Sequence, residues 1–199
     1  MKILAFSDVH GSEKALKRIK QKLAHEKIDL LICAGDITIF EQGYAGIVRK
    51  LDEFGIKTLI IHGNHESRET MKRLAENSKN LIFIHKDPVR IGDYVFYGYG
   101  GGGFSFREPD FVKDSKKFLS FVKRGDKIVL VTHAPPYNTK LDMLWEDHHC
   151  GNKDIKTFID KVNPVLAVSG HIHENAYVTY HHKKTILLNP GPTGTVVKI

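Results

Sequence analysis

Short hydrophobic runs, each followed by polar residues, recur along the chain. Five of these runs are rich in β-branched residues and do not alternate with polar positions, which is typical of strands buried on both faces of a sheet. Between them, apolar residues recur at helical spacing. The pattern therefore predicts an α/β fold with a largely parallel core. The predicted buried strands are Ile3–Phe6, Leu30–Ala34, Thr58–Ile61, Ile128–Val131 and Val165–Val168.

Helix signals separate these strands, and Ser12 is the predicted N-cap of the first helix. The predicted helices are Ser12–Lys27, Tyr44–Phe54, Glu66–Asn77, Pro109–Lys123 and Asn152–Val162. Four further, more antiparallel strands are expected at Tyr94–Tyr97, Ala176–Tyr180, Thr185–Leu188 and Thr195–Val197. The chain contains no repeat or linker, so residues 1–199 are predicted to form a single domain.

Composition narrows the class of protein without identifying it. The chain has 199 residues, 41% hydrophobic and 27% charged, which excludes wholesale disorder. No apolar run reaches the ~18 residues of a membrane span, and the N-terminus does not read as a signal peptide. Cys33 and Cys150 are too few for a disulfide framework, so we expect a cytoplasmic protein with reduced thiols. The net charge of +7 comes from scattered lysines, which favours a solvated surface over a nucleic-acid site.

Residues that can bind metals follow all five predicted buried strands. Parallel strands place their carboxyl ends at one crevice, so these side chains should meet there. Burying them unpaired would cost several kcal/mol, which two divalent cations would offset. Mixed oxygen and nitrogen ligands suit Mn²⁺, Fe or Zn²⁺ better than Ca²⁺, and two such ions about 3.5–4 Å apart promote in-line displacement at phosphorus. The residues are Asp8, His10, Asp36, Asn64, His65, His133, His171 and His173.

The order of these motifs resembles the calcineurin-like metallophosphoesterase superfamily. The matching motifs are Asp8-Val-His10, Gly35-Asp36, Gly63-Asn64-His65-Glu66, His133 and Gly170-His171-Ile172-His173. The resemblance implies a four-layer αββα sandwich, in which helices flank two mixed β-sheets. It also implies a phosphoester hydrolase that depends on two divalent ions (Mn²⁺, Fe, Ni²⁺ or Zn²⁺, with Mn²⁺ expected) and uses a metal-activated hydroxide as nucleophile.

By motif position, the resemblance also implies a role for each residue. Asp8, His10, Asp36 and His173 would hold one ion, and Asp36, Asn64, His133 and His171 the other, with Asp36 bridging. His65 would be catalytic without binding metal. Because Asn64 and His65 are adjacent in sequence, we expect their side chains to diverge so that only one faces the metals.

Two branches of the superfamily compete. Residues 63–68 also resemble the signature of serine/threonine phosphoprotein phosphatases, but His62 stands where those enzymes place an arginine. Residues 132–142, followed by residues 149–152, resemble a small-phosphoesterase branch with archaeal, bacterial and animal members. Candidate substrate contacts are Arg68, His149 and Asn152. The segment Pro135–Gly151 is interpreted as a wall or lid, the alternative being a packing excursion anchored by Trp145.

These features favour a phosphodiesterase acting on small, cyclic-nucleotide-like diesters. A monoester dianion needs additional cationic donors, usually arginine, and only Arg68 lies next to a metal motif. A phosphomonoesterase or protein phosphatase and a nuclease remain alternatives, so the expected partner is a small phosphoester, with nucleic acid less favoured and no membrane. A non-catalytic scaffold is disfavoured because every ligand position keeps a competent side chain. His25, His85, His181 and His182 are expected at the surface, Cys33 in the core, and the glycine-rich segment Gly98–Gly103 in a loop beside the metals.

Overall fold

Two β-sheets stack face to face with helices on both outer sides in the computed structural model, which describes residues 1–146 and 148–199. The strands are β1 (Lys2–Phe6), β2 (Leu30–Cys33), β3 (Thr58–Ile60), β4 (Leu81–Phe83), β5 (Val89–Ile91), β6 (Tyr94–Tyr99), β7 (Lys127–Thr132), β8 (Met143–Trp145), β9 (His148–His149), β10 (Leu166–Val168), β11 (Thr179–His182), β12 (Thr185–Leu188) and β13 (Thr195–Lys198). The helices are α1 (Glu13–His25), α2 (Tyr44–Asp52), α3 (Arg68–Glu76), α4 (Pro109–Phe121) and α5 (Lys153–Val162), with a 3₁₀ turn at His173–Asn175.

Both large sheets are mixed, with parallel strands at their centres. The first has the order β13-β1-β2-β3-β4, and only β13 runs antiparallel to its neighbour. The second has the order β11-β12-β10-β7-β6-β5, in which the outer strands β11 and β5 pair antiparallel. The carboxyl ends of β1, β2 and β3 therefore lie at one edge of the first sheet, and those of β7 and β10 at one edge of the second.

Successive side chains of the central strands enter different hydrophobic cores. In β1, Ile3 and Ala5 pack between the two sheets, whereas Leu4 and Phe6 pack under the helices of the first outer layer. The aromatic residues of α4 and α5 cover the other outer face, together with Tyr97 of β6. Strands buried on both faces read as continuous apolar runs, and the predicted four-layer αββα sandwich is confirmed.

Several elements differ from their predicted bounds. The third helix begins at Arg68 rather than Glu66, because Glu66 turns into the protein and Ser67 caps the helix through the Thr70 N–H. The strands β4 and β5 were not predicted because each is only three residues long and partly buried. β6 extends beyond Tyr97; it pairs antiparallel with β5, as expected of this strand, but parallel with β7.

The Pro135–Gly151 segment is more ordered than a simple loop. It contains the hairpin of β8 and β9, and the Asn175 side chain donates to the Met143 carbonyl at 2.7 Å, which sets the hairpin beside the turn that carries His173. Trp145 is 63% exposed and so is not a core anchor. His85 is buried, which corrects its expected surface position, whereas Cys33 is a core residue as predicted. In the described ranges, every helix is too short or too polar to cross a membrane.

Candidate metal centre

The loops that follow β1, β2, β3, β7 and β10 bring the predicted side chains together. Three groups each offer one ligand atom per residue, with these atoms within 4.8 Å of one another. The groups are Asp8–His10–His173, His10–Asp36–His65 and Asp36–His133–His171. His10 and Asp36 each belong to two of them, so the groups form one continuous cluster rather than three separate ones.

Asp36 lies at the centre of this cluster and is 2% exposed. Its Oδ2 atom is 3.3 Å from His133 Nε2 and 3.9 Å from the Nε2 atoms of both His10 and His65. Burial raises the pKa of Asp36, but the hydrogen bond and charge of His133 outweigh burial and bring the pKa to about 2. Conversely, burial lowers the pKa of His133, but Asp36 raises it to about 9. Asp36 and His133 therefore attract each other as a charged pair at the centre of the cluster.

Two histidines are oriented by backbone carbonyls. His10 Nδ1 lies 3.0 Å from the Thr38 carbonyl, and His133 Nδ1 lies 2.9 Å from the Ala34 carbonyl. Donation from each Nδ1–H to a carbonyl turns the Nε2 atom toward the cluster, which is the usual way a metal-binding imidazole is positioned.

Several nitrogen and oxygen atoms that can accept a hydrogen bond or bind a cation lie close together in the cluster. His10 Nε2 is 3.1 Å from His173 Nε2, and His133 Nε2 is 2.9 Å from Asn64 Oδ1. The buried His171 Nε2 has no hydrogen-bond partner among the described residues. Lone pairs converging in this way require protons or cations between them, and the mixture of carboxylate, amide and imidazole suits a borderline divalent metal. The donor set therefore fits two divalent ions.

The backbone at the cluster is strained. Asp8, His10, Asp36 and His171 have φ values of 55°, 46°, 50° and 70°, in the left-handed region that residues other than glycine rarely adopt. Such conformations cost about 1–3 kcal/mol each and persist where the surrounding structure enforces them, most often at functional sites.

Two glycines make room for the carboxylates. A Cβ atom at position 63 would lie 1.9 Å from Asp36 Oδ1, and one at position 170 would lie 2.5 Å from Asp8 Oδ2. The glycines that precede Asn64 and His171 are therefore required by close approach of the carboxylates.

Glu66 supports the cluster, a role that the sequence analysis missed. Its Oε2 accepts the backbone N–H groups of Asp36 and Gly63, at 3.0 and 2.9 Å. Its Oε1 accepts the Thr38 N–H and the Thr38 hydroxyl, both at 2.9 Å. One buried carboxylate therefore ties the loop after β2 to the loop after β3. The sequence feature that could have indicated this role is the position of Glu66, an acidic residue directly after Asn64 and His65 and just before a helix.

Both Asn64 and His65 face the cluster, so the expectation that only one could do so is wrong. Asn64 Oδ1 contacts His133 Nε2, while His65 Nε2 approaches Asp36 Oδ2. The His65 backbone N–H also donates to Asp36 Oδ1 at 3.0 Å. The turn after β3 places consecutive side chains on the same side because it is not extended strand.

The three candidate substrate contacts lie in different settings. Arg68 is exposed at the start of α3 and forms no ion pair within the described part of the chain. His149 Nδ1 lies 2.8 Å from the buried Asp142 carboxylate. Asn152 is 1% exposed; its Oδ1 caps α5 and its Nδ2 donates to the Ser105 carbonyl. Asn152 therefore has a structural role in place of the expected substrate contact.

The fold and the cluster together define a metallophosphoesterase. Residues 1–175 match the calcineurin-like phosphoesterase family, and the chain belongs to that family. Family membership implies phosphoester hydrolysis that depends on a dinuclear metal centre, for which the three groups described above are the candidates.

The chain is similar to proteins of bacteria and archaea. An uncharacterized protein of Methanocaldococcus jannaschii is 33% identical, over 96% of this chain and 88% of that protein. A probable cyclic nucleotide phosphodiesterase of Vesicomyosocius okutanii is 26% identical, over 81% of this chain and 69% of that protein. A solved structure from Thermus thermophilus superposes with a TM-score of 0.78 at 18% identity, covering 96% of this chain and 90% of that one, and so shares the fold.

Proposed function

We propose that this chain hydrolyses phosphodiesters at two divalent ions that share the Asp36 carboxylate. The observation that carries the proposal is the position of Asp36, whose Oδ2 lies within 3.9 Å of three imidazole nitrogens and belongs to two ligand groups. Asp8, His10, Asp36 and His173 would hold one ion. Asp36, Asn64, His133 and His171 would hold the other.

Each protein group has a distinct task in this scheme. When bound, two such ions supply a nucleophile at neutral pH and stabilise charge on the attacking and leaving oxygens. His65 is the catalytic side chain: its imidazole donates a proton to the leaving oxygen of the substrate. Glu66 is a positioning residue, since it holds the backbone of Asp36 and Gly63 in place.

Small diesters are the proposed substrates. A diester monoanion needs less positive charge than a monoester dianion, and Arg68 is the one arginine next to a metal motif. The similarity to a probable cyclic nucleotide phosphodiesterase supports the same choice. Mn²⁺ is the proposed metal because the ligands combine oxygen and nitrogen donors.

The test compares kcat/KM for bis(p-nitrophenyl) phosphate, p-nitrophenyl phosphate and 2′,3′-cyclic AMP on protein loaded with Mn²⁺. We expect the two diesters to be preferred, activity to be abolished by a chelator, and activity to return with Mn²⁺. A clear advantage for the monoester would overturn the diester proposal in favour of a phosphomonoesterase. Faster hydrolysis of oligonucleotides, with the steep salt dependence of phosphate contacts, would indicate a nuclease instead.

A further inference from the structure

A cavity of about 220 Å³ opens directly beside the candidate metal centre. One side is formed by Asp8, His10 and His173, which are also one of the three ligand groups. The other side is formed by Ala176, Tyr177 and Pro192. Sites for drug-sized ligands are typically ~300–1,000 Å³, so this cavity has room for one ring-sized group rather than a large ligand. None of its six lining residues is a lysine or arginine, so the side formed by Ala176, Tyr177 and Pro192 suits an uncharged group.

The Tyr177 ring is a rigid wall of this cavity. Its hydroxyl lies 3.0 Å from Thr193 Oγ1 and accepts the Thr193 N–H at 3.4 Å. The ring packs so closely on Gly191 that a Cβ there would lie 2.6 Å from Tyr177 Cε1. Tyr177 also has a φ of 68°, in the left-handed region, which costs about 1–3 kcal/mol. Tyr177 is nevertheless 49% exposed, although its backbone is strained and its ring is held by Thr193 and Gly191.

Two more exposed aromatic rings border the centre. Phe40 is 72% exposed and its ring centroid lies 4.5 Å from that of His65. Phe104 is 60% exposed and lies 4.4 Å from His171. Exposed apolar side chains grouped around a polar cluster are a feature of ligand-binding grooves. Tyr177 lines the cavity described above.

We propose that the Ala176–Tyr177–Pro192 wall binds a planar aromatic group attached to the substrate phosphate, and that Tyr177 determines specificity for it. This inference rests on the proposed function, because the phosphate must sit at the Asp8–His10–His173 side of the cavity. The substrate class is then a phosphoester that carries an aromatic ring, such as a nucleobase or an aryl group. Folding already holds the Tyr177 ring in place. Little conformational entropy is therefore lost when a planar group stacks on it.

The test measures binding rather than turnover. Phenylphosphonate and methylphosphonate carry the same charged group on a phosphorus–carbon bond that resists hydrolysis, and they differ in the aromatic ring. Calorimetry on metal-loaded protein gives the affinity of each for the unmodified chain and for Y177A, Y177F and F121A. Phe121 is a matched control because it is a 42% exposed aromatic residue on α4, outside the cavity. Thermal unfolding of each variant confirms that it is folded.

We expect phenylphosphonate to bind about fivefold or more tightly than methylphosphonate, since stacking on one aromatic ring has this magnitude. Y177A removes this preference and leaves methylphosphonate binding unchanged, while Y177F and F121A keep it. Equal affinity of the two ligands in the unmodified protein, or a preference that survives in Y177A, overturns the inference alone. Failure of both phosphonates to bind, together with absence of phosphoester hydrolysis, overturns the proposed function and this inference with it.

Discussion

Replacing Glu66 by glutamine tests whether one buried carboxylate holds together the loops that carry the candidate metal ligands. The carboxylate accepts four hydrogen bonds, two at each oxygen, from Asp36, Gly63 and Thr38. Glutamine keeps one oxygen but places an NH₂ group at the other position, where it faces a backbone N–H donor. The Thr38 hydroxyl can turn to accept from this NH₂ group, so the least costly arrangement points the amide nitrogen toward Thr38 and leaves the Thr38 N–H unpaired.

The expected loss of stability follows from the number of hydrogen bonds that Glu66 accepts. An unpaired buried N–H costs about 1–3 kcal/mol, and the remaining bonds weaken because hydrogen bonds to a charged group are worth more than neutral ones. We therefore expect the free energy of unfolding of Glu66→Gln to fall by roughly 2–4 kcal/mol. In a protein of this size, this loss lowers Tm by roughly 5–15 °C. Because Asp36 is then less well positioned, metal affinity should fall by about 10–100-fold.

Urea unfolding of the metal-free protein measures the stability, and calorimetric titration with Mn²⁺ measures the affinity. Glu69→Gln is the matched control, since it makes the same chemical change on the exposed side of α3. If Glu66→Gln and Glu69→Gln unfold within about 0.5 kcal/mol of each other, the four hydrogen bonds do not have the assigned role.

Three further predictions concern single residues. Asp36→Asn should lose both ions together, as measured by elemental analysis, because its carboxylate is shared; full occupancy by two ions would refute the bridging assignment. His65→Ala should keep both ions while kcat falls about 10²–10⁴-fold, the usual contribution of a positioned acid; loss of metal would make His65 a ligand instead. His85 accepts the Gly100 N–H at 2.8 Å, and burial lowers its pKa to about 3. Since the unfolded state takes up a proton below pH ~6.5 and the folded state does not, stability should be full above that pH and fall by up to ~1.4 kcal/mol per pH unit down to pH ~3. His85→Asn, whose Oδ1 can still accept from Gly100, should make urea unfolding less dependent on pH between these values, and an unchanged dependence would contradict the argument.

The sequence by itself determined the α/β class, the order of the strands that carry ligands and the identity of the candidate ligands. These features are local or periodic. A strand that is buried on both faces must be continuously apolar, and polar residues directly after it lie at the crevice outside the carboxyl ends of the strands. The glycines before Asn64 and His171 were informative for the same reason, because close approach to a carboxylate excludes any Cβ.

Only the tertiary structure decided which polar side chains reach the centre and which support it. Glu66, in sequence the next residue after His65, folds back to bind the backbone of Asp36, thirty positions earlier. Asn152, which the motif suggested as a substrate contact, instead caps α5 and donates a hydrogen bond to the Ser105 carbonyl. His85 was expected in solvent but lies buried against Gly100. In each case, the decisive contact joins residues from different loops. The sequence around one residue does not show which distant residue it will contact.

The cavity at Tyr177 has the same origin. Three segments meet there: the loop after β1, the turn at His173–Asn175 and the loop before β13. Their meeting depends on the pairing of β13 with β1 and on the stacking of the two sheets. Hydrophobic periodicity fixes which face of a strand is buried, but it does not fix which distant loops share an edge. The candidate ligands could therefore be named from the sequence, whereas the shape of the space beside them is a property of the folded chain.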